Sequence, residues 1–238
     1  MKILHLYHDL LNLYGEYANV SVLQRYLTQE GLDVAVAKAS LYDEIDFSAF
    51  DFIYIGSGTE RKQLLALDDL QKRADPLRKA YENGAVILAT GNAFELFGKT
   101  LTSPDGVRHD CLGWFDYTTV VTDQKRTLAD QICTFQDGRK AVGFINKASE
   151  IFDVTSPLFT VDFGEGNHAG DRTEGFMAER FFGTHLTGPC LVKNPFLALF
   201  FVQLLCEKAG TAYKPLALPN ETKAYQITLD ALSARFSK

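Results

Sequence analysis

Residues 84–98 constrain the fold of this chain more than any other stretch. The run 86–89 is short, apolar and partly β-branched, which suits a buried strand and is too short for a helix. The triplet 90–92 consists of turn formers, and the residues from Ala93 onward suit the first turns of a helix. The stretch therefore predicts a strand that enters a helix through one tight turn.

That geometry is a nucleophile elbow, which places one side chain at the top of a sheet. The N–H groups at the start of the following helix lie beside that side chain, where they can hold an oxyanion. Here the residue at the apex of the turn is Gly91, which has no side chain. We therefore expect an elbow that lacks a nucleophile.

The composition is that of a soluble globular protein, with 46% hydrophobic and 23% charged residues among 238, and we expect one domain over residues 1–238. The net charge of −6 and the absence of Lys/Arg runs argue against nucleic-acid binding. The four cysteines lack the spacing of a metal site, so we expect reduced thiols and neither metal nor cofactor. The first residues indicate a strand rather than a signal peptide, and no run reaches the roughly 18 apolar residues of a membrane span. This favours a cytoplasmic protein.

The first 98 residues alternate strands with helices. Strands are predicted at 2–7, 33–37, 52–55 and 86–89, and helices at 18–30, 61–74 and 76–83, with Pro76 at a first helical position. This order indicates an α/β fold with a mostly parallel sheet and helices on both faces. Ligands of such sheets bind beyond the carboxyl ends of the strands, where we expect the turns 56–60 and 90–92 to meet.

The second half follows a different pattern. Segments 117–121, 132–135 and 158–163 are strand-like at hairpin spacing, and they predict extra antiparallel strands. Helices are predicted at 195–209 and 221–236.

Several short motifs, taken in order, resemble the class I glutamine amidotransferases of the cobyric acid synthase type. Within that family they resemble most the GatD type of glutaminase subunit, which works with a MurT-type ligase on the peptidoglycan precursor lipid II. The resemblance extends from the first motif to the helix after Pro195, and it implies the same fold. The matching motifs are Leu11-Asn-Leu-Tyr-Gly15, Tyr54-Ile-Gly-Ser-Gly-Thr-Glu-Arg-Lys-Gln63, the elbow, Ser103-Pro-Asp-Gly106, Arg126 and Gly183-Thr-His-Leu-Thr-Gly-Pro189.

The resemblance also implies where the chemistry should lie. The family elbow reads Cys-Gly-Gly-Tyr-Gln-x-Leu-Gly, so the nucleophilic cysteine corresponds to Gly91 and the glutamine to Glu95. The later family motif, Gly-Thr-Tyr-Leu-His-Gly-Pro, places Thr187 at the histidine that acts as general base and His185 at the tyrosine. Because the thiol and the imidazole are both absent, we expect no glutaminase chemistry at these degenerate positions.

Residues suited to substrate binding are retained. The resemblance implies that Gly56 and Gly58 belong to the oxyanion loop and that Arg126 clamps the α-carboxylate of glutamine. It places Asn92 and Glu95 in the same pocket, where a carboxylate would disfavour an acidic ligand. The alternatives are a simple reversal turn at 56–59, a solvated surface charge at Arg126 and an exposed helix charge at Glu95.

Three further residues could in principle replace the missing nucleophile or base. Cys190 and His185 flank Thr187 and could form a rearranged pair, but we expect Cys190 to be a small buried side chain. His185 is expected to meet a backbone partner or solvent. Thr90 is expected to be a strand-end residue whose side chain points away from the direction of the apex side chain.

Three functions are compatible with these residues. The first is a binding or scaffold subunit that has lost hydrolysis and docks with a MurT-like ligase in cell-wall precursor amidation. The second is an active glutaminase subunit that delivers ammonia to a ligase through unidentified residues. The third is a sensor of glutamine or a related small molecule. If the rest of the cleft is intact, Gly91→Cys with Thr187→His should restore some activity.

Overall fold

The computed structural model describes residues 1–123 and 126–236, and these contain fourteen strands and six α-helices. The strands are β1 (Lys2–Leu6), β2 (Ala35–Ala39), β3 (Phe52–Ile55), β4 (Val86–Thr90), β5 (Thr100–Thr102), β6 (Arg108–Asp110), β7 (Thr118–Val121), β8 (Thr127–Phe135), β9 (Lys140–Lys147), β10 (Ser149–Phe152), β11 (Phe159–Phe163), β12 (Thr173–Glu174), β13 (Phe176–Ala178) and β14 (Phe181–Thr184). The α-helices are α1 (Tyr17–Gln29), α2 (Glu60–Lys72), α3 (Ala74–Glu82), α4 (Cys190–Lys193), α5 (Pro195–Lys208) and α6 (Pro219–Phe236). Short 3-10 helices cover Leu13–Gly15, Phe47–Ala49 and Gly91–Phe97.

A six-stranded sheet in the order β13-β14-β4-β3-β1-β2 forms the centre of the fold. Every neighbouring pair is parallel except β13 with β14. The elbow strand β4 lies between β3 and β14, with Ala89 opposite Ile55 and Thr90 opposite Thr184. The carboxyl ends of these three strands therefore lie at one edge of the sheet, as the sequence predicted.

Helices cover both faces of this sheet because its central strands are apolar on both sides. On one face, α1 and α5 bury Leu23 and Phe201 in a cluster with Ile3 of β1. On the other face, α2 and α3 bury Leu67 and Leu77 in a second cluster. The predicted α/β fold is confirmed. Within the described ranges, no helix combines the length and the apolar character that a membrane crossing requires.

Two smaller sheets are formed by the second half of the chain. One has the order β10-β7-β5-β6 and the other β12-β11-β8-β9. Their strand pairs are antiparallel, apart from β5 with β7. The extra antiparallel strands expected from the hairpin-like spacing are therefore present.

Three predicted helix starts lie two residues after the observed ones, at Pro76, at Ala93 and at residue 221 of the last helix, which begins at Pro219. Pro76 is the third residue of α3 rather than the first, because α3 follows α2 after the single residue Arg73. Proline is tolerated there since N–H groups in a first turn have no intrahelical acceptor. The elbow helix begins at Gly91 rather than Ala93, and it is a 3-10 helix. The turn from strand to helix is therefore tighter than expected.

Candidate functional site

The elbow has its apex at Gly91, as the sequence predicted. This glycine has a φ of +58°, in the left-handed region that side chains rarely adopt. A Cβ atom added at this position would lie 2.3 Å from the Ser57 hydroxyl oxygen and 2.4 Å from the Ser57 Cβ. The apex therefore faces the loop that follows β3, and Ser57 occupies the space in front of it.

The side chain of Asn92 joins the two turns that we expected to meet. Its Oδ1 atom accepts a hydrogen bond from the N–H of Gly58 at 3.0 Å, and its amide group donates to the Gly58 carbonyl at 3.0 Å. The amide of Gln63 in α2 donates to the Asn92 carbonyl at 2.7 Å. These bonds hold the elbow, the loop after β3 and the start of α2 as one unit.

Glu95 is a buried polar residue, with 1% of its surface exposed. One of its carboxylate oxygens accepts a hydrogen bond from the Gln63 amide at 2.7 Å. The other accepts from the Ser149 hydroxyl at 2.5 Å and lies 3.0 Å from Nε2 of His185. The alternative of an exposed helix charge is therefore wrong. Both oxygens are engaged by the protein itself, which leaves this carboxylate little capacity for a ligand.

His185 turns its ring into the core rather than toward solvent. Its ring centroid lies 4.6 Å from that of Phe94, and its Nε2 atom faces Glu95. Its backbone N–H donates to the Glu174 carboxylate at 2.6 Å, and burial raises the pKa of Glu174. The expectation that the ring meets a backbone partner or solvent is wrong, because the ring packs against Phe94 and its Nε2 atom faces the buried Glu95 carboxylate.

Thr187, which corresponds to the histidine base of the family motif, is hydrogen-bonded to the protein backbone. Its hydroxyl donates to the Phe144 carbonyl at 2.9 Å, and its backbone N–H donates to the same oxygen at 3.0 Å. The residue is 2% exposed. A hydroxyl bonded in this way cannot accept a proton from a nucleophile at neutral pH.

Cys190 and Thr90 behave as expected from the sequence. Cys190 is fully buried, its sulfur lies 3.8 Å from the Asn19 side-chain oxygen, and burial raises the pKa of its thiol. No contact between Cys190 and His185 is found in the part of the chain that the structure describes. Thr90 ends β4, and its hydroxyl lies 2.6 Å from an oxygen of Glu16. Neither residue faces the cleft.

Glu16 is a buried carboxylate that sequence reasoning missed. One of its oxygens accepts hydrogen bonds from the side chains of Thr90, Tyr54 and Asn19. Burial raises the pKa of Glu16. The only signal was the adjacent motif 11–15, which matched the family as a loop. The network lies directly behind the elbow strand.

Gly56 lies in this packing layer and does not line the cleft. A Cβ atom on Gly56 would lie 2.4 Å from the Leu11 carbonyl oxygen and 3.0 Å from Cβ of Glu16. The missing side chain thus lets the loop 11–16 approach β3. This places Gly56 apart from Gly58, Asn92, Glu95 and Arg126, which do line the cleft.

The cleft at the carboxyl edge of the sheet brings together most of the predicted binding residues. Arg126 forms an ion pair with Glu60, and its Nε donates to the Asn146 side chain at 2.8 Å. Partial burial acts to raise the pKa of Glu60, but the hydrogen bond and charge of Arg126 prevail and lower it. The Arg126 side chain is 42% exposed and pairs with Glu60, and its role as a clamp for the α-carboxylate of glutamine stays a prediction. The cleft is lined by Tyr14, Ser57, Gly58, Glu60, Gln63, Asn92, Glu95, Val121, Arg126, Asn146, Lys147, Ala148 and Ser149.

Several of these residues gave no usable signal in the sequence. Ser57, Glu60 and Gln63 lie in a motif that matched the family, although their individual contacts were not predicted. Ser149 belongs to β10, whose partner β7 lies three strands earlier in the chain, and Lys147 is the last residue of β9 in the β8–β9 hairpin. Among the described residues, no group of three or more His, Cys, Asp or Glu side chains is placed to hold a metal ion.

Comparison with known proteins places the chain among amidotransferases. Residues 2–195 match the CobB/CobQ-like glutamine amidotransferase domain family. Two similar proteins are each named lipid II isoglutaminyl synthase (glutamine-hydrolyzing) subunit GatD. The one from Staphylococcus aureus (strain N315) is 30% identical over 97% of this chain and 95% of its own length. The one from Streptococcus pneumoniae (strain ATCC BAA-255 / R6) is 29% identical over 87% of this chain and 81% of its own length.

Solved structures with low sequence identity share the fold. A crystal structure described as a glutamine amidotransferase has a TM-score of 0.55 at 13% identity, covering 85% of this chain and 98% of that one. The glutaminase domain of Trypanosoma brucei CTPS, solved with bound acivicin, also has a TM-score of 0.55 at 10% identity, covering 93% of this chain and 98% of that one. Because the family match covers residues 2–195, this chain belongs to the CobB/CobQ-like glutamine amidotransferase family.

Proposed function

We propose that this chain is a catalytically silent GatD-like subunit that serves as the binding or scaffold partner of a MurT-type ligase. The observation that carries the proposal is the elbow itself. Its backbone has the form that presents a nucleophile, while its apex is Gly91 and the base position holds Thr187, whose hydroxyl is bonded to a backbone carbonyl. A covalent thioester route has neither of the groups it requires.

The partner is inferred from the relatives. Both are named as subunits of a lipid II isoglutaminyl synthase, so each works within a larger enzyme. The match covers nearly the whole length of the Staphylococcus aureus protein, which supports a similar docking role for this chain. The proposed context is amidation of a cell-wall precursor, with the ligase supplying ATP-dependent chemistry.

An active glutaminase that uses other residues receives little support from the cleft. The hydroxyl nearest the apex belongs to Ser57, and it donates a hydrogen bond to the Asn92 side-chain oxygen at 3.4 Å. An amide oxygen is not a base, so this hydroxyl lacks an activating group of the kind that serine nucleophiles use.

Ammonia release from glutamine tests the proposal. The purified chain is assayed alone and together with a MurT-type ligase from the same genome, with Staphylococcus aureus GatD as the active control. We expect no release above background in either case, and a stable complex with the ligase in size-exclusion chromatography. Release of ammonia at a rate comparable to the control would refute catalytic silence. Absence of a complex, combined with glutamine-dependent thermal stabilisation of the chain alone, would favour the sensor.

A further inference from the structure

We propose that the protein's own side chains fill the glutamine seat, by which we mean the part of the cleft between Gly91 and Arg126. Ser57 fills the reacting end and Glu60 occupies the carboxylate-binding end. The inference rests on the proposed function, because it takes these two positions as the ends of a former substrate site. It adds two residues that determine specificity, since they exclude glutamine.

At the reacting end, Ser57 and Gly91 compete for one space. Carbon atoms in contact lie about 3.5–4.0 Å apart, whereas a Cβ at Gly91 would lie 2.4 Å from the Ser57 Cβ. Ser57 is 5% exposed, so its side chain has little free space into which it could turn. Only one of the two positions can therefore carry a side chain without moving the backbone. Serine at 57 excludes a nucleophile at 91 as well as the amide group of a substrate.

At the other end, the Arg126 guanidinium is already occupied. Glu60 supplies a carboxylate to it, and Asn146 accepts from its Nε. The Asn146 amide is in turn held by the Tyr14 hydroxyl at 2.8 Å. Glu60 is the first residue of α2, whose N-cap Thr59 accepts a hydrogen bond from the backbone N–H of Lys62. A ligand carboxylate would have to displace the Glu60 carboxylate from Arg126.

The remaining space agrees with a filled seat. The cavity volume of the cleft is about 10 Å³. A single water molecule needs at least about 10–15 Å³ by the same measure. An amino acid therefore does not fit unless these side chains move. Restoration by Gly91→Cys and Thr187→His alone, which the resemblance implied, lacks room, and a third change, Ser57→Gly, is required.

A double-mutant cycle tests the reacting end. Gly91→Cys, Ser57→Gly and the combined variant are compared with the parent chain by thermal unfolding. Gly91→Cys should lower the melting temperature by at least about 4 °C more in the parent than in the Ser57→Gly background. Gly113→Cys is the matched control, because Gly113 has a φ of +64° with no atom within 4 Å of an added Cβ. Gly113→Cys measures the cost of a side chain on left-handed backbone without a steric clash. We expect Ser57→Gly to leave the effect of Gly113→Cys on the melting temperature unchanged.

Thiol alkylation followed by mass spectrometry gives a second readout of the cycle. Three of the four native cysteines are buried and Cys111 is half-buried, so the background is low. The new thiol at 91 should react at least about tenfold faster when Ser57 is glycine, because the reagent can reach it. Equal melting shifts in both backgrounds, with equal alkylation rates, would overturn the assignment of Ser57.

Calorimetric titration with L-glutamine tests the whole seat. We expect no binding to the parent chain, and measurable binding to the Ser57→Gly/Glu60→Ala variant. The control is Ser57→Gly/Glu82→Ala, which removes an exposed carboxylate of α3 that does not line the cleft. Binding to the parent, or no binding to a folded Ser57→Gly/Glu60→Ala variant, would overturn the proposal. These three experiments use the chain alone. If no complex with the ligase forms, the proposed function is refuted, but the results of these experiments do not change.

Discussion

Replacing Glu95 with alanine should destabilise the fold far more than removal of a surface carboxylate. Three groups contact the Glu95 carboxylate: the Gln63 amide at 2.7 Å, the Ser149 hydroxyl at 2.5 Å and Nε2 of His185 at 3.0 Å. Each buried polar group left without a partner costs about 1–3 kcal/mol. Relaxation of the neighbouring side chains reduces the sum, and Gln63 keeps its bond to the Asn92 carbonyl. We expect a loss of about 3–5 kcal/mol in the free energy of unfolding.

Equilibrium unfolding in urea measures this loss. The single tryptophan, Trp114, is a suitable fluorescence reporter because its ring lies 5.1 Å from that of Phe97 in the elbow helix. Glu82→Ala is the control, since Glu82 pairs with Arg78 at the surface and such pairs contribute about 0–1 kcal/mol. Glu95→Gln keeps the volume and one acceptor, and should fall between the two.

The refuting result is specific. If Glu95→Ala unfolds with a free energy within about 1 kcal/mol of Glu82→Ala, the contacts around Glu95 contribute no more than an exposed pair. The network would then not stabilise the elbow, and the argument from unsatisfied buried donors would fail.

Two other changes have defined outcomes. Because burial raises the pKa of Glu16, the native state binds this proton more tightly than the unfolded state, so stability falls as pH rises from 4.5 toward the native pKa. Glu16→Gln should flatten that fall in urea midpoints measured between pH 4.5 and neutral pH, and an unchanged slope would contradict it. Gly98→Ala should cost about 1–3 kcal/mol because an added Cβ would lie 2.6 Å from the Tyr117 ring and 2.6 Å from the Tyr117 carbonyl oxygen. In a Tyr117→Ala background only the ring contact is removed, so Gly98→Ala should cost less there. Equal costs in both backgrounds would show that the ring contributes nothing to the clash.

The sequence predicted the elbow and its position at the sheet edge for local reasons. The apolar run 86–89 and the turn formers after it act within a few residues of each other, so their pattern is visible without the fold. The alternation of strands and helices then requires a parallel sheet, and that topology brings the turns after β3 and β4 together. The Asn92 bonds to Gly58 confirm this part of the reasoning.

The contacts that define the site could not be predicted in the same way. His185 and Glu95 are 90 residues apart in sequence, and neither has a local pattern that signals the other. Ser57 looked like an ordinary turn residue, because its effect depends on how closely two separate loops approach. Arg126 and Glu60 are 66 residues apart, and their pairing depends on the registers of two different sheets. Long-range packing decides such contacts, and a single sequence does not display it.

The left-handed backbone at Gly91 affects how many substitutions this chain can accept in evolution. Residues with a Cβ atom lose roughly 1–2 kcal/mol in that conformation, while glycine does not. An enzyme that holds a reactive side chain there is less stable by that margin than the same fold without it. Under the proposed function, this chain needs no side chain at position 91 and keeps this stability, which widens the range of surface substitutions that its fold tolerates.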